Sequence, residues 1–322
     1  MTGTDVAGRL ARLTGTAVRE LRAAGSQHRW DHYRAVLADG RAVFAKVAAA
    51  GLGGVFEAEA SGLRWLGDAG AVGVPEVLGW DEATLVVSWL PAGRPDAAAA
   101  ERFGRELARL HAAGAPRFGA PWPGFIASLS MPNDHSVAAS VPGGAGIWAG
   151  WYRSCRVLPY LRLAVDAGTL TGADTRLVEA AAARAADVAS PDEPPSRIHG
   201  DCWSGNVVWS GGSGWLVDPA AHGGHRETDL AMLALFGAPY LDRILGAYAG
   251  ELPLAPGWRQ RVPLHQLHPL LVHVCLFGAA YREETLAAAP PDSSSPRRGD
   301  REWPGQAQRA RTARAAASVS SR

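Results

Sequence analysis

The stretch RIHGDCWSGNVVW, residues 197–209, combines residue types that can bind a cation or move a proton. It contains Asn206, one of only two asparagines in the chain, five residues after Asp201. A short hairpin between the apolar segments NVVW and WLVD would bring Asn206 close to Asp218, twelve residues later. Carboxylate and amide oxygens can hold a hard cation such as Mg²⁺. Asp201 would then remain free to accept a proton, so the stretch predicts metal-assisted chemistry on a hydroxyl group.

The same order and spacing occur in the catalytic loop of protein kinases, where Asp218 would correspond to the metal-binding Asp of the DFG segment. That comparison requires a Lys on the third strand, paired with a Glu on the following helix. Lys46 is the only lysine in the chain, and the other 31 basic residues are Arg. A position that keeps Lys indicates a need for a compact ammonium group. Glu59 is the favoured partner, and Glu57 is the alternative.

The elements that must position these residues change character along the chain. Up to residue 92, alternating apolar and polar residues and the hairpin signal Asp39-Gly40 predict a meander of strands. After residue 92, apolar residues recur mainly at helical spacing. We therefore predict an α+β, protein-kinase-like fold of two lobes. A small antiparallel-sheet lobe for ATP binding would cover 1–92, and a larger, mainly helical catalytic and substrate lobe would cover 93–289.

Local patterns within the two lobes give further expectations. Strands are predicted near Glu76–Gly79 and Thr84–Trp89. The Pro- and Gly-rich segment 114–146 is predicted to be a long loop. Helical patterns return at 147–166 and at 172–188.

Composition and charge argue against several classes of protein. The segment 290–322 carries seven Arg and three acidic residues, is rich in Pro and Ser, and is predicted to be a disordered basic tail. The rest of the chain has 25 basic and 28 acidic residues, which is unlike a nucleic-acid-binding protein. No apolar run of about 18 residues and no signal-peptide pattern is apparent. We expect a cytoplasmic monomer without nucleic-acid or membrane partners.

Several motifs together resemble the fructosamine (ketosamine) kinases: HGDCWSGNVVW, WLVDPAAHGGHRETDLAML, VFAKV, FEAEASGLRWL and FGAPWPGFIASLSMPN. The resemblance covers about residues 8–288. It implies ATP with Mg²⁺ and phosphorylation of a sugar hydroxyl on a ketosamine, whose unstable phosphate would lead to deglycation. Two departures are visible. The phosphate-covering turn has Gly25 as its only glycine, and Met131 stands where Gln is common.

The resemblance also implies roles for individual residues. Asp201 resembles the catalytic base, Asn206 and Asp218 resemble the metal ligands, and Lys46 and Glu59 resemble the pair that anchors phosphate. Gly25 would contact phosphate, and Ser88, Trp89 and Leu90 would lie along adenine. Trp203 and His225 would contact the sugar. For His225 a structural place beside the start of a helix is an alternative.

Two other functions stay open at this point. Aminoglycoside and choline kinases share the HGD motif and the strand-end Asp, but usually lack the Trp and the GHRE run. The chain could therefore be an aminoglycoside or other small-molecule alcohol phosphotransferase. It could also be a catalytically inactive nucleotide-binding scaffold, although a scaffold would not need Lys46, Asp201, Asn206 and Asp218 together.

Overall fold

The computed structural model describes residues 3–27, 29–134, 146–185 and 193–289. The tail that is predicted to be disordered, 290–322, lies outside the described residues.

A five-stranded antiparallel sheet forms the N-terminal part, in the order β1-β2-β3-β5-β4. Its strands are β1 (Val18–Gln27), β2 (Trp30–Leu37), β3 (Ala42–Ala48), β4 (Val77–Asp81) and β5 (Thr84–Ser88). The Asp39-Gly40 turn between β2 and β3 is confirmed, with Gly40 at φ 87° and the Arg41 N–H donating to Asp39 Oδ1 at 3.0 Å. This positive φ is accessible to glycine at little cost.

The two faces of the sheet have different partners because successive residues on a strand face opposite sides. On β3, Val43, Ala45 and Val47 pack against α1 (Gly3–Thr14) on the outer face. Lys46 therefore faces the other side, toward α2 (Val55–Gly67). Strand alternation thus directs the only lysine of the chain into the interior of the molecule.

Helices dominate the remainder of the described chain. They are α3 (Ala97–Ala112), α4 (Ile147–Tyr152), α5 (Leu158–Asp166), α6 (Gly172–Ala183), α7 (Glu227–Leu235), α8 (Leu241–Glu251), α9 (Trp258–Phe277) and α10 (Arg282–Ala288). A π-helical turn, Arg153–Val157, joins α4 to α5. Three small antiparallel pairs complete the fold: β6 (Gly124–Ile126) with β7 (Leu129–Met131), β8 (Ser196–Ile198) with β11 (His222–Gly224), and β9 (Val207–Ser210) with β10 (Ser213–Leu216).

The expected α+β, two-lobed architecture is confirmed, as is the β9–β10 hairpin between Asn206 and Asp218. The expectation of an uninterrupted loop over 114–146 was wrong, because β6 and β7 form a hairpin there. Each of these strands has only three residues, which is too short for alternation to be detectable. The predicted helix over 172–188 is present as α6, which ends at Ala183.

The segment Trp258–Ala288 is long and apolar enough to cross a membrane by length and composition alone. However, 61% of its most apolar window is buried inside the protein, and α9 contributes Leu267 and Leu271 to the largest core cluster. The buried core helix of a globular protein passes the same test, so this segment is only weak evidence for a membrane span.

Candidate active site

A cavity of about 380 Å³ lies between the inner face of the sheet and the helical part. Lys46, Glu59, Asp201, Asn206 and Asp218 all line it. The fold therefore brings together five side chains from two segments of the sequence, 46–59 and 201–218, that lie far apart along the chain.

Lys46 makes the central contacts of this group. Its Nζ lies 2.8 Å from both carboxylate oxygens of Glu59 and 2.8 Å from Asp218 Oδ1. Burial alone would lower the pKa of Lys46, but the charges of Asp218 and Glu59 outweigh burial and raise it. Lys46 is therefore a protonated cation although only 3% of it is exposed.

The structure decides between the two candidate partners of Lys46. Glu59 contacts it, whereas Glu57 is exposed on the opposite side of α2. Residues two apart on a helix point in nearly opposite directions, so only one could face the sheet. Burial raises the pKa of Glu59, and the positive charge of Lys46 offsets part of that rise.

Asp218 is fixed by an unusual backbone conformation and by close packing. It follows β10 with φ 54°, in the left-handed region that few non-glycine residues adopt. Gly62 allows α2 to approach the residues that follow Asp218, since an added Cβ at position 62 would lie 3.1 Å from the Ala221 Cβ. Burial alone would raise the pKa of Asp218, but the charge of Lys46 outweighs it and lowers the pKa, so this carboxylate is ionised.

Asn206 connects Asp201 to Asp218. Its Nδ2 donates to the backbone oxygen and to Oδ2 of Asp201, both at 2.9 Å, and to the Asp218 carbonyl at 3.4 Å. Because the amide nitrogen is used in this way, the amide oxygen is the atom that can bind a cation. Burial raises the pKa of Asp201 to about 7, although the hydrogen bond from Asn206 opposes the rise. A carboxylate with this pKa can take up a proton near neutral pH.

A buried carboxylate, Asp229, holds the loop that carries Asp201. It accepts hydrogen bonds from the backbone N–H groups of His199 at 2.7 Å and Gly200 at 2.9 Å. Its Oδ2 also lies 3.2 Å from His111 Nε2, and Tyr248 is 2.8 Å from the other ring nitrogen. These contacts show that Asp229 braces the loop that carries Asp201.

His199 adds a second tie within the site. Its Nε2 donates to the Val217 carbonyl at 2.8 Å, and its Nδ1 accepts from the Asp201 N–H at 3.3 Å. This pairing fixes one neutral tautomer, and burial lowers the pKa of His199. The His199 ring therefore fixes the position of Asp201 relative to Val217, the residue before Asp218.

Not every residue predicted for the nucleotide site lines this cavity. Gly25 lies at an irregularity of β1 with φ 119°, and its neighbour Ser26 is the lining residue. Ser88, Trp89 and Leu90 lie at the end of β5 and just beyond it, and none of them lines the cavity. The Trp89 ring lies under Arg34, at 5.0 Å.

The structure also places His225 outside the cavity. Its side chain is buried, with the Trp148 ring at 5.0 Å and the His265 ring at 4.8 Å. With Glu227, these two histidines could hold a metal by position, but Arg261 already donates to both oxygens of Glu227, at 2.8 and 2.6 Å. A guanidinium there disfavours a further cation, so we assign the cluster a structural role.

Trp203 lines the same cavity as Asp201. Its ring covers Gly205, where an added Cβ would come within 2.2 Å of the indole. The sequence did not reveal the other aromatic residues at this end of the cavity: Phe236, His273 and Phe277. They lie at the ends of α7 and α9, where apolar residues at helical spacing usually indicate core packing.

Replacing Lys46 with Arg tests the need for a compact ammonium group. We expect Lys46→Arg to lower kcat/KM for ATP at least about tenfold, because the planar guanidinium cannot occupy the same point between Glu59 and Asp218. Steady-state kinetics at varied ATP measures the effect. The exposed pair Arg109–Glu251 provides the control, since Arg109→Lys should change the rate less than about twofold. Full activity of Lys46→Arg would contradict the prediction that this position needs a compact ammonium group.

Comparisons of sequence identify the family. The sequence model of the fructosamine kinase family matches residues 10–288. A probable ketoamine kinase of Klebsiella aerogenes is 32% identical over 232 residues, covering 70% of this chain and 77% of the relative. A probable ketoamine kinase of Thermus thermophilus is 34% identical over 228 residues, covering 71% of this chain and 79% of the relative.

Comparisons of structure agree. A Thermobifida fusca protein for which fructosamine-3-kinase activity is suggested has 51% identity and a TM-score of 0.83, covering 89% of this chain and 98% of its own. A macrolide 2'-phosphotransferase from Brachybacterium faecium has 18% identity and a TM-score of 0.57, covering 90% and 98%, which shows a shared fold alone. The motifs, the geometry of the site and these matches lead to one conclusion: the chain belongs to the fructosamine kinase family.

Proposed function

We propose that this protein transfers the γ-phosphoryl group of ATP to a sugar hydroxyl of a ketosamine, a sugar joined to an amine. The observation that carries the proposal is one cavity with two chemically different ends. Lys46, Glu59 and Asp218 form a charged end, where the Trp30 ring also lies. An aromatic end is formed by lining residues whose rings contact one another in turn: Trp203, Phe236, His273 and Phe277. The relatives named as ketoamine kinases support the same reaction.

The donor atoms at the charged end fit Mg²⁺. Asn206 offers an amide oxygen and Asp218 an ionised carboxylate, both hard oxygen ligands. When bound there, Mg²⁺ would neutralise charge on the ATP phosphates. Lys46, held between two carboxylates, is placed to contact the same phosphates. An aminoglycoside phosphotransferase of this fold has been solved with ADP bound, which supports a nucleotide in this cleft.

Asp201 would remove the proton of the acceptor hydroxyl. As the proton moves to the carboxylate, the hydroxyl oxygen bonds to the γ-phosphorus, and the bond from this phosphorus to the β–γ bridging oxygen breaks. The products are the sugar phosphate and ADP, and Asp201 later releases the proton to solvent. His199 and Asp229 keep the loop of Asp201 in place throughout. We further propose that the unstable sugar phosphate leaves the amine, which would amount to deglycation.

The aromatic end favours a ketosamine over an aminoglycoside. Among the described residues that line the cavity, the carboxylates are Glu59, Asp201 and Asp218, and none of them lies on α7 or α9. A polycationic aminoglycoside would need counter-charges where this cavity offers aromatic rings. A sugar with one amine instead suits an indole face, which packs against C–H groups and attracts a single cation.

The test compares ATP turnover with three acceptors: fructosyl- or ribulosyl-lysine, free fructose, and an aminoglycoside. We expect turnover with the ketosamines to exceed that with free fructose, because the sugar alone lacks the amine. Faster turnover with the aminoglycoside would overturn the proposal and favour the alternative.

Truncating the indole should affect the acceptor more than the nucleotide. We expect Trp203→Ala to raise KM for the ketosamine about tenfold, because the cation–π and packing contributions of one ring amount to roughly 1–2 kcal/mol. KM for ATP should change less than about twofold, and Trp203→Phe should recover part of the loss. The control is Trp80→Ala on β4, which removes an indole that packs against Arg64 of α2. Equal changes in both KM values would show that Trp203 does not line the sugar site.

A further inference from the structure

Arg156 is only 2% exposed, and none of the salt bridges among the described residues involves it. Burial lowers the pKa of Arg156 to about 10, which still leaves it charged at neutral pH. Moving a charge out of water without a counter-charge is costly. A buried guanidinium without a carboxylate partner must be stabilised by other contacts, and those contacts indicate the role of Arg156.

The groups that accept hydrogen bonds from Arg156 belong mostly to one segment, and they contact its two terminal nitrogens, whereas Nε has no hydrogen-bond partner among the described residues. Its Nη1 donates to the carbonyl oxygens of Pro132 and Cys155, and its Nη2 donates to Asn133 Oδ1 at 2.8 Å. The face of Trp151 lies 4.3 Å from the guanidinium carbon. The planar fork thus grips two consecutive residues, 132 and 133, which a single ammonium group could not do in the same way.

Neighbouring side chains hold the same segment by its carbonyls. The Tyr160 hydroxyl donates to the Ser130 carbonyl at 3.1 Å, and the Trp151 indole N–H donates to the Asp134 carbonyl at 3.0 Å. Both donors, like Arg156, come from α4, α5 and the π-helical turn between them. Together these contacts fix the backbone from residue 130 to residue 134.

The fixed segment is the continuation of the β6–β7 hairpin, which is a wall of the cavity. Ile126 and Met131 of the hairpin line the cavity and belong to the core cluster against which Trp203 packs, so this wall lies beside the aromatic end. Phe125 also lines the cavity, and it packs against the core under the sheet. Asn133 ties Arg156 to the base of the hairpin: its Nδ2 donates to the Trp122 carbonyl at 3.4 Å. Gly124 leaves the room for it, since a Cβ there would come within 2.6 Å of Nδ2.

We propose that Arg156 is a positioning residue for acceptor binding, which acts through Pro132 and Asn133 to hold the β6–β7 hairpin at the acceptor end of the cavity. The inference rests on the proposed function only for the identity of the acceptor. A displacement of about 1 Å in such a wall can cost up to about 10²-fold in rate or affinity. Arg156 touches none of the reacting groups, so its loss should act on the acceptor KM and leave nucleotide binding intact.

The test uses Arg156→Lys, which keeps the charge and removes the fork. We expect KM for the ketosamine to rise about tenfold or more, while kcat and KM for ATP stay within about twofold. Hydrogen–deuterium exchange should accelerate in peptides that cover 124–134 and stay unchanged in those that cover β9 and β10. Arg282→Lys is the matched control, because Arg282 makes a similar forked contact, with Asp174.

An unchanged acceptor KM, an equal rise in both KM values, or unchanged exchange over 124–134 would overturn the proposal. If circular dichroism shows that Arg156→Lys is unfolded, Asn133→Ala decides by the same criteria, since it removes the acceptor of Nη2. Failure of the wild-type protein to turn over any ketosamine would contradict the proposed function instead. The exchange measurement would then still decide the role of Arg156, because it needs no substrate.

Discussion

Asp201→Asn is expected to lower kcat by about 10²–10⁴-fold, the usual contribution of a general base. The amide matches the carboxylate in size and can still accept the hydrogen bond from Asn206, but it cannot take up the proton of the acceptor hydroxyl. The measurement is ATP turnover with a saturating ketosamine. Asp166→Asn, at an exposed site on α5, is the control and should leave kcat unchanged.

Two further observations would separate loss of the base from loss of the fold. Because burial raises the pKa of Asp201 to about 7, and only the ionised form accepts a proton, wild-type kcat/KM should fall about tenfold per pH unit below pH 7. The raised pKa also means that the ionised carboxylate costs stability at alkaline pH. Asp201→Asn should therefore unfold at the same or a higher temperature at pH 8. A variant with near wild-type kcat would exclude Asp201 as the base.

Asp218→Ala is expected to lower turnover by roughly 10³-fold, because a bound cation supplies several kcal/mol of charge stabilisation in phosphoryl transfer and few protein atoms hold it. The same change removes one of the two carboxylates on Lys46, so the thermal midpoint should also fall by a few degrees. The decisive measurement is the Mg²⁺ concentration dependence of ATP turnover, which should shift strongly to higher Mg²⁺.

Asp218→Asn serves as the conservative comparison. Its amide oxygen can still accept from Lys46, so the fold should be preserved, whereas a neutral ligand should bind Mg²⁺ more weakly than a carboxylate. An unchanged Mg²⁺ dependence in both variants would refute the assignment of Asp218 as a metal ligand.

The catalytic geometry was largely predictable because it is local. Asp201, Asn206 and Asp218 lie within eighteen residues of one another, and one short hairpin fixes their separation. The pairing of Lys46 with Glu59 spans only one strand and one helix, and the rarity of lysine identified its first member. Helix periodicity left Glu57 as an alternative until the direction in which α2 faces the sheet was known.

The acceptor end was not predictable because it depends on contacts between distant helices. Phe236 directly follows α7 and His273 lies on α9, yet their rings are 4.9 Å apart, and in sequence each resembles an ordinary core residue. His225 was placed at the sugar site by resemblance, but the packing of Trp148 buries it elsewhere. Strands of three residues, such as β6, carry too little pattern to be predicted.

The burial of the only lysine has a chemical consequence for an enzyme of this family. A ketosamine begins to form when an unprotonated amine adds to the carbonyl group of a sugar, so the amine must be accessible and without its extra proton. Lys46 is neither, since it is 3% exposed and the adjacent carboxylates raise its pKa. The other basic side chains apart from histidine are guanidinium groups, which stay protonated. The side chains of the enzyme are thus protected by composition from the damage that its family acts on, and they should remain unmodified in concentrated reducing sugar.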